Sequence, residues 1–327
     1  MELFKKVKVF DFVKYSNYGL IASIFLLALA FALLFFKGFS AGIDFAGGSA
    51  GQIRYEKQAP IEEVRGLLEA DSRFKGVRVS EFDTKEEISI KIPHNDALEG
   101  ANIAPILEKL LEPSKASGGE FEIRKLDSVG AQVGDDLRQK GIISLLMALV
   151  AMMVYVSFRY EWRFALAGIL ALIHDVILTA ASVIVFDIDL NLEVVAALLT
   201  LIGYSINDTI IIFDRIREKM LTDKTNDITL VINEAISHTL SRTLLTSLTV
   251  FFVVLTLYLF GGAIIVGFSL PMLVGVIVGT YSSMFVAPKL AVLLGFNIED
   301  YHKKEMMKTK RAQDRAKMRA QYEGGRV

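Results

Sequence analysis

Six stretches of this chain are each apolar over the length a helix needs to cross a bilayer, and nothing else in the sequence constrains the fold as much. A hydrocarbon core about 30 Å thick takes about 20 residues of helix. The stretches are residues 18–36, 141–158, 164–186, 191–213, 243–260 and 264–294. The last is over-long and contains Pro271 and Pro288, so its ends are not sharp. Inside lipid the backbone must satisfy its own hydrogen bonds, so each stretch is expected to be α-helical. Hydrophobic residues make up 53% of the 327, which suits a membrane protein better than a soluble domain. Lys5, Lys6, Lys8 and Lys14 precede the first stretch, which is long for the apolar core of a signal peptide and reads as a retained span.

Orientation follows from the basic residues of short loops. Arg159 and Arg163 flank the second and third spans, and Arg215, Arg217, Lys219, Lys224 and Arg242 lie between the fourth and fifth. The connections on the other side, residues 187–190 and 261–263, carry no Lys or Arg. Both termini are therefore expected in the cytoplasm, with the insert after the first span outside. The chain divides into a cytoplasmic N-terminus (1–17), a span (18–36), an extracytoplasmic domain (37–140), five further spans (141–294) and a basic cytoplasmic tail (295–327). Between the fourth and fifth spans, within 214–242, the apolar stripe Ile228, Val231, Ile232, Ala235 and Ile236 predicts an amphipathic helix lying on the membrane. The tail is expected to be solvated or to rest on anionic lipid.

In the insert, alternation predicts strands at 50–55, 76–82, 86–92 and 119–126, and apolar periodicity predicts helices at 60–70 and 101–112. The order is βαββαβ, a ferredoxin-like arrangement that hosts many functions. The whole is thus an α-helical polytopic membrane protein with one extracytoplasmic α+β domain. A structural or partner-contacting role is expected for that domain, since no nucleophile–base pair stands out in it.

The chain contains no Cys, and its four His show no metal-ligand spacing, so neither a metal nor a thiol nucleophile is expected. A net charge of −1 points away from nucleic acid. The chemistry lies in polar residues within the spans. Asp175, Thr179 and Ser182, beside His174, share one helical face; so do Thr200, Tyr204, Asn207 and Asp208, and so do Arg242, Thr246 and Thr249. Three such faces predict one polar seam inside the bundle. Asp208 sits six residues before Asp214, so about 9 Å inside the edge, and His174 lies about 15 Å deep. Arg242 enters at the same edge, which makes Asp208–Arg242 a candidate ion pair. Gluing helices together returns about 0.6 kcal/mol per polar contact. A mid-span charge costs about 2.5–3.5 kcal/mol. That balance favours an ion pathway for Asp208 over glue; for His174 and Asp175 both readings stay open. Gly275, Gly279 and Ser283 recur every four residues and predict a close-packed face, toward the bundle or a partner.

The motifs "GIDFAGG" (42–48), "VGAQVGDDL" (129–137), "RYEWRFALAGILALIHDV" (159–176) and "LNLEVVAALLTLIGYSINDTIIIFDRIRE" (190–218) resemble the SecF subunits of the bacterial Sec protein-export machinery, in the SecD/SecF family of the resistance–nodulation–division superfamily. The likeness runs to about residue 297, with one departure at Ser49, where Thr would be expected. It implies a non-enzymatic translocase subunit in the bacterial inner membrane, without cofactor and driven by the proton gradient. Implied partners are SecD, the SecYEG channel, YajC and the exported polypeptide, besides membrane lipid. It further implies that Asp208 is the functional carboxylate, that Arg242 is its basic partner, and that Gly42, Asp44, Gly47 and Gly48 form a family motif. Rival readings are a small-molecule or lipid pump of the same superfamily, a scaffold without transport, and an intramembrane enzyme using Asp175 and Asp208.

Overall fold

The computed structural model describes residues 9–98, 100–222, 227–296 and 298–324. Lys5, Lys6, Lys8 and Lys224 lie outside them. The elements in chain order are α1 (Phe12–Phe36), α2 (Ile43–Ala46), β1 (Gly48–Tyr55), α3 (Ile61–Glu69), β2 (Arg78–Phe82), β3 (Thr84–Pro93), α4 (Ile103–Leu111), α5 (Lys115–Gly118) and β4 (Phe121–Val129). There follow α6 (Ala131–Arg159), α7 (Trp162–Val185), α8 (Leu192–Thr222), α9 (Ile228–Phe260), α10 (Val266–Phe285), α11 (Ala287–Leu293) and α12 (Ile298–Gly324). Six helical segments are long and apolar enough to cross a membrane: α1, α6, α7, α8, α9, and α10 with α11. The chain is a multi-pass membrane protein. Helices α7, α8 and α10 form the centre of the bundle, while α1, α6 and α9 are largely exposed along their apolar runs.

The insert after α1 folds as βαββαβ. Its antiparallel sheet has strand order β2-β3-β1-β4, so β3 lies between β1 and β2, and β1 between β3 and β4. That is the split pattern expected of a ferredoxin-like domain. Period-2 alternation sends Ile53, Tyr55, Ile88, Ile90 and Ile92 to one face, where Val64 and Leu68 of α3 and Leu107 and Leu111 of α4 cover them. Hence the alternation seen in the sequence.

Two glycines make the root of this domain possible. Gly47 has φ +72°, and a β-carbon there would stand 3.0 Å from Ala131 Cα at the start of α6. Gly48 has φ +118°, and a β-carbon there would stand 2.3 Å from the carbonyl oxygen of Ile92. Only glycine lets β1 leave α2 in that direction while pairing with β3. The same segment reaches the α7–α8 loop. Gly42 N–H donates to Leu190 O at 2.8 Å, and Leu190 N–H donates to Ser40 O at 2.7 Å. Asp44 Oδ2 accepts the Leu192 N–H at 3.0 Å, satisfying a free donor in the first turn of α8. Lys91 of β3 pairs with Asp189 of that loop. The domain is thus fastened to the start of α8.

At the bundle end that carries the termini, two expectations change. Helix α8 has 31 residues and α9 has 33, so at 1.5 Å per residue each exceeds a bilayer core by several turns. The stripe Val231, Ile232, Ala235 and Ile236 does not form a separate interfacial helix. It is the first part of α9, which Asp227 caps by accepting the Thr229 and Leu230 N–H groups. These residues are buried against Ile212, Ile216 and Met220 of α8, Phe12 of α1, and Phe296 and Tyr301. An apolar stripe has the same period whether protein or lipid covers it, which is why the sequence misled. Nor does the tail begin free, since Tyr301 Oη accepts from Arg217 Nε at 3.1 Å.

Candidate functional site

The expected polar seam exists, in a different composition. All four of the α7 residues, His174, Asp175, Thr179 and Ser182, are buried. Asp175 is fully buried and carries three bonds. His174 Nδ1 lies 2.8 Å from its Oδ1, while Ser205 Oγ of α8 and Ser282 Oγ of α10 donate to its Oδ2 at 2.5 and 2.7 Å. Asp175 therefore ties three central helices together. Gly279 makes room for this, because a β-carbon there would stand 3.1 Å from Ser205 Cβ and 3.6 Å from Asp175 Oδ2. Gly275 likewise admits Leu201 and Thr179, so the small-residue face points into the bundle.

Asp208 is also fully buried, with a thinner shell. Ser247 Oγ of α9 donates to its Oδ2 at 3.2 Å, and Thr280 Oγ1 of α10 donates to Ser247 Oγ at 2.7 Å. Asp208 Oδ1 has no hydrogen-bond partner among the described residues, and neither do the nearby Tyr204 hydroxyl and Thr243 Oγ1. A buried polar atom without a partner costs about 1–3 kcal/mol, more when charged. Asp208 is thus poised to take a proton, a water or a group from another chain.

The anticipated Asp208–Arg242 ion pair is not made. Arg242 is exposed on α9 and acts on Asp208 only through space. The reason is register: Ser247, five residues further along α9, meets the carboxylate, while Arg242 lies more than a helical turn earlier and faces outward. Thr249 is exposed and Thr246 half-buried, both bonding back to carbonyls of their own helix, and Thr243 and Ser247 are the buried residues in their place. On α8, Thr200 and Asn207 are exposed rather than inward; Tyr204 is half-buried. Helical spacing placed these residues within one wide arc, and packing divides that arc between the interior and an open face. Gly203 lies between them on that face, with nothing within 4 Å of where its β-carbon would be. An open polar strip, Thr200–Gly203–Asn207, therefore runs along a spanning helix beside the buried carboxylate.

Ser205, Ser247, Thr280 and Ser282 were missed by sequence reasoning. Hydroxyl residues are common in spans because they can bond their own helix, and each gains meaning only from the carboxylate opposite. Their signal was the i, i+3 spacing of Ser205 and Asp208. The motif glycines and Asp44 lie at the domain root, remote in role from the carboxylates but joined to them by α8. No group of three or more potential metal ligands occurs among the described residues.

Comparison with known proteins agrees with this architecture. The family model described as protein export membrane protein SecD/SecF, C-terminal, matches residues 109–297. A protein translocase subunit SecF from Helicobacter pylori is 64% identical over 327 residues, covering 100% of both chains. One from Vibrio alginolyticus is 38% identical, covering 91% of this chain and 94% of that one. The crystal structure of SecDF, a translocon-associated membrane protein from Thermus thermophilus, superposes with a TM-score of 0.76 at 34% identity. That match covers 90% of this chain and 39% of the SecDF chain, so this chain spans about two fifths of that structure.

Proposed function

The chain belongs to the SecD/SecF protein-export family and is a translocase subunit rather than an enzyme, and from that premise we propose that it pairs with a SecD-like subunit to harness the proton gradient for export of unfolded polypeptides. The observation that carries this reading is Asp208, a buried carboxylate with one bonded oxygen and one free, beside an open polar strip. Thr200 and Asn207 are poorly suited to lipid, and a second membrane subunit is the covering that satisfies them. This chain spans about two fifths of the SecDF structure, which supports a second membrane subunit as that covering.

In the proposed cycle a proton reaches Asp208 through a wetted path and neutralises it. The Ser247 bond weakens, and α9 shifts against α8. Arg242, already near, is available to the ionised form. Motion of α8 passes to the outer domain, because Asp44 caps that helix and Asp189 holds Lys91. The drive is about 2.3 kcal/mol per charge per 100 mV, enough to bias two packings of a bundle. The basic loop residues support cytoplasmic termini and an outer domain beyond the inner membrane, where it would touch the exported chain. SecYEG and YajC are the proposed neighbours, and no cofactor beyond the gradient is needed.

The experiment is translocation into vesicles containing the native complex, with the gradient intact or collapsed by an ionophore. Stimulation that vanishes with the gradient supports the reading. Equal export in both conditions, with the complex intact, removes it.

A further inference from the structure

The mechanism above leaves one buried titratable pair unused. Asp175 accepts hydrogen bonds from Ser205 and Ser282 at Oδ2, and His174 Nδ1 lies 2.8 Å from its Oδ1. If His174 Nδ1–H donates there, the neutral ring has its lone pair at Nε2, and that atom is buried with no partner among the described residues. The pair then carries one negative charge deep in the bundle, and no Lys or Arg is bonded to it among the described residues. One added proton at Nε2 cancels that charge. A buried net charge in an apolar surround is the costlier state, and Nε2 is the atom of the pair left without a partner among the described residues.

We propose that the His174–Asp175 pair, held by Ser205 and Ser282, is a second proton-binding site of this chain, loaded at His174 Nε2. In the empty state Asp175 is ionised and His174 neutral. In the loaded state Nε2 bears a hydrogen, whether the Nδ1–Oδ1 proton sits on the ring or on the carboxyl. The titratable groups on the helices packed against α7 include Tyr204, Asp208 and Asp214 on α8, Tyr281 on α10, Tyr18 on α1, Asp136, Arg138, Lys140 and Tyr155 on α6 and Lys289 on α11. Among the described residues Asp208 is the one buried carboxylate besides Asp175, and it lies three residues from Ser205 on the same helix. That spacing links the two sites: Ser205, which holds Asp175, and Asp208 stand about one helical turn apart on α8. The inference extends the proton-coupled reading of Asp208 and assigns the site deeper in the bundle.

The test is a pH titration by imidazole nitrogen magnetic resonance on the full complex in lipid, with histidine of this chain labelled. The chain has only four His, so His94→Gln, His238→Gln and His302→Gln assign the His174 signal by elimination even if a change at 174 disturbs assembly. The expected result is that Nε2 of His174 passes from bare to protonated as the pH falls across the range in which the complex stays intact, and that Ser205→Ala, which removes one donor from Asp175, moves the midpoint. A ring whose Nε2 stays in one state across that range overturns the proposal, as does a midpoint that Ser205→Ala leaves in place. The same titration on Asp208→Asn separates the two readings. There a His174 that still loads keeps this site even if gradient-driven export is found not to depend on Asp208, while a His174 silent both there and in the unaltered chain removes this site and leaves the Asp208 reading standing.

Discussion

Replacing Gly48 by alanine should unseat the outer domain from its root. The new β-carbon would stand 2.3 Å from Ile92 O and 3.0 Å from His94 N. The first separation is more than about 1 Å short of ordinary contact. Both atoms are backbone of β3 or its continuation, so no side-chain rotation relieves the clash. The residue also sits at φ +118°, where a β-carbon costs about 1–3 kcal/mol. Overpacking adds about 1–3 kcal/mol. The total, about 2–6 kcal/mol, falls on the β1–β3 pairing from Gly48↔Pro93 onward. Hydrogen exchange on the intact chain in lipid discs reads this directly, because each 1.4 kcal/mol or so is a tenfold change. Amides of 48–55 and 88–92 should exchange at least about 30-fold faster. Gly100→Ala is the control: φ is +71° but nothing lies within 4 Å, so only the backbone cost of about 1–2 kcal/mol applies. The reasoning is refuted if Gly48→Ala exchanges no faster than Gly100→Ala.

Asp44→Ala removes the acceptor for the Leu192 N–H and should cost α8 about 0.5–2 kcal/mol, seen as faster exchange confined to its first turn; Asp44→Asn should recover most of it. Ser247→Ala deletes the bond to Asp208 and should weaken gradient-dependent export while leaving the complex assembled; Arg242→Ala should act less strongly on the same readout than Asp208→Asn, because Arg242 makes no direct pair, and Arg242→Lys should be milder still.

The spans, the βαββαβ insert and the burial of Asp175 and Asp208 are legible in the sequence because each rests on length or period. Twenty apolar residues, alternation over Gly48–Tyr55 and the i, i+4, i+7 set on α7 leave little choice of local structure. What the sequence does not fix is which side of a polar arc faces inward. Asn207 and Asp208 are neighbours with opposite fates, one exposed and one buried. One residue of helix is about 100° of rotation, and only the packing of α8 against α9 and α10 sets that rotation. The stripe at Val231–Ile236 shows the same limit, since its partner was α8 and not lipid.

The central claim is that Asp208 exchanges a proton that drives export, and Asp208→Asn tests it most directly. Asn is nearly isosteric and can keep the Ser247 contact, so the complex should assemble in the membrane. Vesicles carrying the variant should export at the basal rate, and collapsing the gradient should change nothing. An Asp208→Asn complex that still stimulates export, and still loses that stimulation when the gradient is collapsed, would contradict the account.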